Sequence, residues 1–341
     1  LEGVERLEKY GPGGYHPIVI GDVLQTRYKV VHKLGYGTYS TTWLCRDNLS
    51  NKYVAVKVGT GDSNPREADI LDLLNYGCAS PQNRTMIPLI QDRFVLHSPN
   101  GIHPCYVTTP ARCSLSDAKN GSYKRLFQAN TARSLVVQLV LAIEYIHARG
   151  VCPWRFTSTS VMLSCVPAGF DKLSTDQLYR KYGAPTLEPV VRLDSQPIDR
   201  RVPSNAATPI WLGKASEEFS SSEVKVVLTD FGEAYSPSTE CRYESHVPLP
   251  FAPPEVCFEP QRSLSFSSDI WTLACAIWAI LGQRPLFEEI LATQDDITAE
   301  QVDVLGNLPP EWWAKWDARH EYFGEMGEPN SDRHVRTWGP V

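Results

Sequence analysis

The feature that most constrains this chain is a glycine-containing, strand-like stretch followed by a lysine inside an apolar run. Residues 34–58 contain LGYGTYSTTW and, after a turn, VAVKV, so Lys57 lies among apolar, β-branched residues. Gly35 and Gly37 allow a hairpin backbone to approach a ligand without a side chain in the way. A half-buried ammonium group needs a partner, and Glu67, on the next predicted helix, is the natural candidate. The segment therefore predicts a sheet that carries a buried charge pair.

Each of these features also has a simpler explanation. Paired glycines serve ordinary hairpins, and Glu67 alone could be one more exposed carboxylate on a helix. The sequence TDFGE at residues 229–233 favours a ligand site over these simpler explanations. Its Asp230 lies on a turn that directly follows a predicted strand at 224–229. A carboxylate on such a turn suits a Mg²⁺ ion that bridges phosphates. Together with Lys57, Asp230 indicates a nucleotide site.

Strand-like segments are followed by helical ones along the chain. Apolar periodicity predicts helices at 65–76, at 130–149 with Asn130 or Thr131 as its cap, at 267–282 with Ser267 or Ser268 as its cap, and one or two short helices within 298–323, broken at Pro309 and Pro310. Further strands are predicted at 18–20, 85–96, 103–109 and 224–229. Residues 165–222 are rich in Pro, Ser and Asp and lack a sustained period, so they are interpreted as an insertion, partly ordered around Leu173 to Tyr182.

Composition limits the classes of protein to which the chain can be assigned. A net charge of −6 argues against a general nucleic-acid binder. The nine cysteines are scattered from Cys45 to Cys275 without a C-x-x-C motif, a pattern that predicts reduced thiols in an intracellular protein of the cytoplasm or nucleus. The longest apolar stretch, Ile270 to Leu281, is too short to span a bilayer.

The order of these motifs resembles the eukaryotic protein kinase superfamily, and most closely the fungal branch of the SR-protein kinase family. Residues 13–47, which read GGYHPIVIGDVLQTRYKVVHKLGYGTYSTTWLCRD, are similar to that family's opening segment, with Ser40 in place of the third glycine. The family also carries an insertion between its catalytic loop and the DFG motif, where this chain has residues 165–222. The resemblance covers about residues 10–320.

The resemblance implies an α+β, bilobal fold with an antiparallel sheet lobe and a mainly helical lobe. The implied divisions are a lead-in at 1–26, an N-lobe at 27–109, a C-lobe at 110–323 that contains the insertion, and a mobile tail at 324–341. ATP would be held by Leu34, Gly35, Gly37, Ala55, Lys57, Glu67, Thr109 and Ala111. Because Pro110 has no N–H group, adenine would be read by the Thr109 carbonyl and the Ala111 backbone. Mg²⁺ would be held by Asp230 and, more weakly, by Ser160.

The same resemblance reveals unusual residues in the catalytic loop. Residues 147–163 read HARGVCPWRFTSTSVML, and alignment without gaps places Arg155 where the family has its catalytic aspartate. Thr157 then replaces the lysine that contacts the γ-phosphate, and Ser160 replaces the asparagine that binds the second metal ion. A general base typically contributes about 10²- to 10⁴-fold to the rate, and an arginine cannot accept a proton at physiological pH. The loop therefore predicts nucleotide binding with strongly impaired turnover.

Two further residues of the C-lobe are assigned by the resemblance. Asp269, in SSDIW, would brace the catalytic loop through backbone N–H groups, although a simple helix-capping role fits as well. Glu255 closes the APPE motif at 252–255, but the arginine that pairs with it in the family is not recognisable after Phe323.

Three functions are compatible with the sequence. The first is a pseudokinase that binds ATP and a protein or peptide, basic and Arg/Ser-rich by the resemblance, without direct nucleic-acid or membrane binding. The second is an active protein serine/threonine kinase. The third is a small-molecule phosphotransferase, which would be expected to keep the missing base. A local frame error or a paired indel in the gene is a further explanation of the loop. If Pro153-Trp154-Arg155-Phe156 is encoded CCA-TGG-CGA-TTT, a shift of one base reads CAT-GGC-GAT, or His-Gly-Asp.

Overall fold

The computed structural model describes residues 3–76, 85–153, 157–163, 166–167, 169–245, 247–287, 290–325, 327–331 and 333. The N-terminal part of the chain forms one six-stranded sheet in which all neighbouring strands are antiparallel. Its strands are β1 (Val23–Leu24), β2 (Tyr28–Gly37), β3 (Ser40–Asp47), β4 (Lys52–Gly59), β5 (Asp92–Ser98) and β6 (Gly101–Thr108), in the spatial order β1-β2-β3-β4-β6-β5. Helix α1 (Arg66–Asn75) connects β4 to β5. The predicted antiparallel sheet is confirmed.

The rest of the chain is mainly helical. Its helices are α2 (Leu115–Asn120), α3 (Ala129–Ala148), α4 (Thr175–Tyr182), α5 (Glu255–Phe258), α6 (Phe266–Leu281), α7 (Gln294–Leu305), α8 (Pro310–Lys315) and α9 (Arg319–Tyr322). Its strands are β7 (Cys113–Ser114), β8 (Val161–Leu163), β9 (Leu187–Pro189), β10 (Asn205–Ala207) and β11 (Val226–Leu228). Strands β11, β8 and β7 form one small antiparallel sheet, and β9 pairs with β10 in another. Over the described ranges, no helix has both the length and the apolar character needed to cross a membrane.

One buried cluster joins the two parts of the chain. Leu71 of α1, Ile143 of α3 and Phe231 of the DFG motif all belong to it, and each is 1% exposed. Helix α3 enters this cluster because its apolar residues recur every three or four positions and so lie on one face. The cluster places α1 directly above the DFG turn, which positions the candidate site between the sheet and the helices.

The insertion is more ordered than predicted. Helix α4 begins at a capping box, in which Ser174 and Gln177 exchange side chain-to-backbone hydrogen bonds. Phe170 and Leu178 are buried against residues of the N-terminal sheet, and the Phe170 ring lies edge-on to Tyr53 with 5.1 Å between centroids. These contacts fix the insertion to the face of the sheet that also carries Ala55 and Lys57.

The insertion also forms hydrogen bonds with two strands of the N-terminal sheet. The N–H of Ile210 donates to the carbonyl of Lys33 at 2.8 Å, next to Leu34. The N–H of Tyr53 donates to Asp171 Oδ1 at 2.9 Å. The insertion therefore bonds to both β2 and β4 through their backbones.

The sequence-based boundaries were wrong at several helix and strand ends. Helix α3 begins at Ala129 without a side-chain cap, because the buried Thr131 hydroxyl donates instead to the Phe219 carbonyl at 2.8 Å. Helix α6 begins at Phe266, because Ser268 donates to Glu255 Oε1 at 2.9 Å and does not cap the helix. In both helices, the hydroxyl group that was predicted to cap the helix forms a hydrogen bond with a distant segment instead.

Two strand predictions also need correction. No strand forms at 18–20, because the carboxylate of Asp22 accepts from the Val19 N–H at 2.9 Å and closes a turn. The strand predicted at 85–96 begins only at Asp92, whereas Met86 turns away and its carbonyl accepts from the Leu228 N–H at 2.9 Å. Helix α7 begins at Gln294, four residues before the predicted start, since Thr293 and Asp296 form a capping box.

A partly buried histidine in the N-terminal part, His16, makes the stability of the fold pH-dependent. Burial, followed by the charge of nearby His103, lowers the pKa of His16 from 6.5 to about 4, and the two rings lie 4.8 Å apart. Because the folded pKa is below the unfolded value, stability is full above about pH 6.5 and falls as the pH drops toward 4. Between about pH 7 and pH 5, His16 is expected to cost about 1–2 kcal/mol.

This expectation is checked by thermal unfolding between those two pH values. His16→Gln should reduce the acid-induced fall in the unfolding midpoint, whereas His97→Gln, at an exposed position, should leave it unchanged. An identical fall in the unaltered chain and in His16→Gln would contradict the assignment.

Candidate active site

The predicted charge pair lies at the centre of the site. Lys57 Nζ donates to both oxygens of Glu67, at 2.8 Å and 2.7 Å, which joins β4 to α1. Glu67 Oε1 also accepts from the backbone N–H of Phe231 at 3.1 Å. One carboxylate therefore links the strand lysine, helix α1 and the DFG turn.

The electrostatics of this pair favour a charged lysine. Burial by itself lowers the pKa of Lys57, but the negative charges of Glu67 and Asp230, together with Tyr106, outweigh it and hold the pKa well above its ordinary value. The Lys57 side chain is 22% exposed and that of Glu67 is 12% exposed. The ammonium group is thus protonated, and the Lys57 side chain remains partly exposed.

Asp230 has a backbone conformation that is unusual for its residue type. Its φ angle is +69°, in the left-handed region that few non-glycine residues adopt, and its side chain is exposed. Phe231, the next residue, is buried in the core and holds the turn in place. Strain of this kind, maintained by the surrounding packing, is common at functional sites. The carboxylate of Asp230 is thereby held outside the core, where it is available to a metal ion.

The two predicted metal ligands come from neighbouring strands. Val161 of β8 is the register partner of Leu228 of β11, so Ser160 and Asp230 lie at the same end of this antiparallel pair. The N–H of Thr229 donates to the Ser160 carbonyl at 3.0 Å. The structure therefore brings together the two positions that the sequence proposed for Mg²⁺.

The catalytic loop forms a closed turn in its described part. Ser160 Oγ donates to the Thr157 carbonyl at 3.0 Å and accepts from the Thr157 N–H at 2.9 Å. The Thr157 hydroxyl lies 2.7 Å from that of Thr159. A metal ion would have to compete with these bonds for the Ser160 hydroxyl. Arg155 lies outside the described residues.

The glycine-rich hairpin forms the roof of the site. Gly35 and Gly37 are at the end of β2, where the chain turns through Thr38 and Tyr39 into β3. A methyl group built on Gly35 or Gly37 would meet no other heavy atom within 4 Å. The space beneath the hairpin is therefore free for a ligand that approaches the backbone.

The predicted hinge follows β6. Ala55 of β4 is the register partner of Thr108, so Ala55 lies next to the start of the hinge. Neither the Thr109 carbonyl nor the Ala111 N–H takes part in a backbone–backbone hydrogen bond with the residues that the structure describes. Leu34 is partly buried and packs against the cluster that Phe170 and Leu178 of the insertion form with the sheet. The two groups assigned to adenine thus have no competing backbone partner within those residues.

Helix α6 contacts the segment that leads into the catalytic loop, whose residues 154–156 lie outside the described part of the chain. Asp269 is 3% exposed, and its Oδ2 lies 3.0 Å from Nε2 of His147 at the end of α3. Glu255 accepts a hydrogen bond from Ser268 of the same helix. Asp269 therefore reaches the start of the loop through a histidine side chain.

A chain of ion pairs near the site was missed by sequence reasoning. Arg66, at the start of α1, lies 2.5 Å from Glu240, which is 2.7 Å from Arg242. Arg242 in turn pairs with Glu233 at 3.2 Å. Hydrogen bonds from Arg66 and then Arg242 lower the pKa of Glu240, although partial burial opposes them. These residues are far apart in sequence and share no motif, so no local signal could have paired them.

Sequence comparison identifies relatives over nearly the whole chain, although no family model matches it. A serine/threonine protein kinase of Aspergillus fumigatus is 25% identical over 334 residues, which cover 95% of this chain and 76% of that protein. Serine/threonine-protein kinase SRPK of Physarum polycephalum is 25% identical over 355 residues, covering 98% and 79%. SRSF protein kinase 3 of Homo sapiens is 32% identical over 154 residues, covering 43% and 27%. This chain is therefore similar in sequence to SR-protein kinases and to other serine/threonine protein kinases.

Structural comparison identifies the fold of this chain. A solved kinase domain superposes with a TM-score of 0.63 at 18% identity, covering 95% of this chain and 84% of that domain. The predicted bilobal protein-kinase fold and the predicted resemblance to SR-protein kinases are therefore confirmed.

Proposed function

We propose that this chain binds Mg-ATP between the sheet and the helices. The observation that carries the proposal is the triple link of Glu67 with Lys57 and with the Phe231 N–H. It fixes a protonated lysine beside the exposed carboxylate of Asp230, under a hairpin whose glycines leave room for phosphates. Mg²⁺ in nucleotide sites is usually held by one or two carboxylates together with the phosphates, and Asp230 fits that role.

The adenine end of the site supports the same proposal. Adenine presents one donor and one acceptor that a backbone carbonyl and a backbone N–H can match. The Thr109 carbonyl and the Ala111 N–H supply that pair at the hinge, while Leu34 and Ala55 supply apolar surface above it.

We further propose that the protein, as written, is a pseudokinase or a strongly impaired kinase. Arg155 stands at the position of the base, and Thr157 replaces the lysine that would contact the γ-phosphate. The Ser160 hydroxyl is committed to Thr157 on both its donor and its acceptor side. The site is thus supplied with groups that hold a nucleotide but lacks those that activate a substrate hydroxyl.

The partner proposed for this protein is a basic, Arg/Ser-rich protein segment inside the cell. One relative is named as a kinase of SRSF proteins, and another as an SRPK. The net charge of −6 is compatible with a basic partner. Binding of an Arg/Ser-repeat peptide, compared with a lysine-for-arginine version of it, tests this part of the proposal.

An active serine/threonine kinase is the second candidate. It is favoured by the closed Lys57–Glu67 pair and by the buried Phe231, both of which an active kinase needs. Glu233 is the nearest acidic residue that follows the DFG turn, but its pairing with Arg242 opposes a role as base.

Nucleotide binding is expected to raise the thermal unfolding midpoint by several degrees. A ligand at about 100 times its Kd adds about 2.7 kcal/mol to the free energy of unfolding. Lys57→Ala should remove most of the shift, because it deletes the phosphate contact and leaves Glu67 without its cation. Lys52→Ala, at the exposed end of the same strand, is the matched control and should keep the shift. No shift in the unaltered chain, or an equal shift in both variants, would count against the proposal.

A further inference from the structure

The turn of the glycine-rich hairpin is held from outside by the lead-in that precedes the sheet. The hydroxyl of Tyr15 donates to the carbonyl of Gly37 at 2.7 Å, and the Thr38 carbonyl lies 3.3 Å from the same hydroxyl. Tyr15 as a whole is 3% exposed, so its ring is buried beside the hairpin. Two successive carbonyl groups of the hairpin turn therefore face one buried phenol.

The backbone of Tyr15 is itself fixed on both sides. Its N–H donates to the Lys9 carbonyl at 3.1 Å, and its carbonyl accepts from Asn100 Nδ2 at 2.7 Å. The tight turn before it requires glycine, because a Cβ on Gly14 would lie 1.7 Å from the Lys9 carbonyl oxygen. The Gly-Gly-Tyr sequence at 13–15 is thus explained as a turn that aims the phenol at the hairpin.

The same lead-in segment also contacts the start of the glycine-rich hairpin. Glu5 forms a buried ion pair with Lys33 and accepts a hydrogen bond from Tyr10. Lys33 is 1% exposed, and its ammonium lies 5.3 Å from the centroid of the Tyr36 ring. Both ends of the glycine-rich hairpin are therefore anchored to one segment.

The orientation of the turn follows from the geometry of the peptide unit. In a trans peptide the N–H points opposite to the C=O of the same unit. Since the carbonyls of Gly37 and Thr38 face Tyr15, the N–H groups of Thr38 and Tyr39 point away from it. Successive backbone N–H groups that point to one side form an anion-binding surface. The next carbonyl, that of Tyr39, is fixed separately by the Thr60 N–H at 2.9 Å.

We propose that Tyr15 is a positioning residue of the nucleotide site, which orients the Thr38 and Tyr39 N–H groups toward the phosphates. The inference rests on the proposed binding of Mg-ATP and extends it to a residue outside the kinase motifs. Tyr15 contacts neither metal nor nucleotide in this role. It acts by holding two carbonyls on the far side of the hairpin.

The test uses Tyr15→Phe, which removes the hydroxyl but keeps the ring that lies 5.5 Å from that of Tyr10. Tyr179→Phe is the matched control, because its hydroxyl makes one equivalent bond, at 2.8 Å, to the Val31 carbonyl on the same strand but away from the turn. Amide hydrogen exchange of residues 34–41 is measured without nucleotide. Binding of Mg-ATP and of adenosine is measured by calorimetry on both variants.

Loss of the hydroxyl is expected to speed exchange at residues 37–40 and to weaken Mg-ATP roughly two- to tenfold, the effect of one hydrogen bond. Adenosine, which has no phosphates, should bind both variants equally, and their unfolding midpoints should match. A merely structural role would weaken both ligands together and overturn the proposal. Unchanged exchange with unchanged Mg-ATP affinity would also overturn it. If the unaltered chain binds no nucleotide, the proposed function fails, and the phosphate role of Tyr15 fails with it.

Discussion

The unaltered chain is expected to phosphorylate serine peptides at least about a hundredfold more slowly than a variant with Arg155→Asp, Thr157→Lys and Ser160→Asn. The replacements restore a proton acceptor, a γ-phosphate contact and a metal ligand at the three positions that differ from the family. Phosphate transfer from labelled ATP to an Arg/Ser-repeat peptide gives the rates. Arg155→Asp alone should recover only part of the activity, because residues that act as a unit contribute non-additively.

The control for this experiment is the restored variant with Asp230→Ala, which should return to background. Robust phosphorylation by the unaltered chain, abolished by Asp230→Ala, would refute the pseudokinase proposal and show that another group accepts the proton. A restored variant that binds Mg-ATP but stays inactive would instead show that the three loop positions do not explain the impairment. The gene sequence around codons 153–155 tests the frame-error explanation separately.

Phe170→Ala is expected to destabilise the whole protein, although residue 170 lies in an insertion. The ring is 3% exposed and packs edge-on against Tyr53, so its removal leaves a cavity between the insertion and the sheet. Large-to-small changes of this kind cost about 3–5 kcal/mol when the ring is phenylalanine. Chemical denaturation at neutral pH, followed by tryptophan fluorescence, measures the loss.

Leu193→Ala is the matched control for Phe170→Ala. Leu193 is in the same insertion but fully exposed, so its truncation should change stability by less than about 0.5 kcal/mol. Similar small effects from the two changes would mean that the insertion is a dispensable loop. A large effect from Phe170→Ala alone would show that the insertion is an integral part of the N-terminal lobe.

Local sequence signals were sufficient for the centre of the site. The Lys57–Glu67 pair was predicted because a lysine in an apolar run needs a carboxylate, and periodicity placed Glu67 on the following helix. The turn at Asp230 was predicted because glycine and a strand flank it. These are short-range requirements of burial and backbone geometry, and they can be read from a few neighbouring residues.

Long-range contacts could not be predicted in the same way. Thr131 and Ser268 have the sequence context of helix caps. Their hydroxyl groups instead donate to a carbonyl and to a carboxylate of distant segments. The contacts of Tyr15 with the hairpin turn and of Ile210 with Lys33 likewise join segments that no sequence pattern relates. Local sequence patterns do not show which distant group each polar group will bond to.

The buried position of Phe231 has a consequence for the inhibitors that this protein can bind. Compounds that need the ring to leave the core must first expose it, at a cost of about 1.5–3 kcal/mol, and must also break its N–H bond to Glu67. That cost alone lowers the binding affinity of such compounds by about 10- to 150-fold. Compounds that occupy the adenine end and leave the ring in place avoid it. Screening libraries of the latter type are therefore expected to yield the tighter ligands.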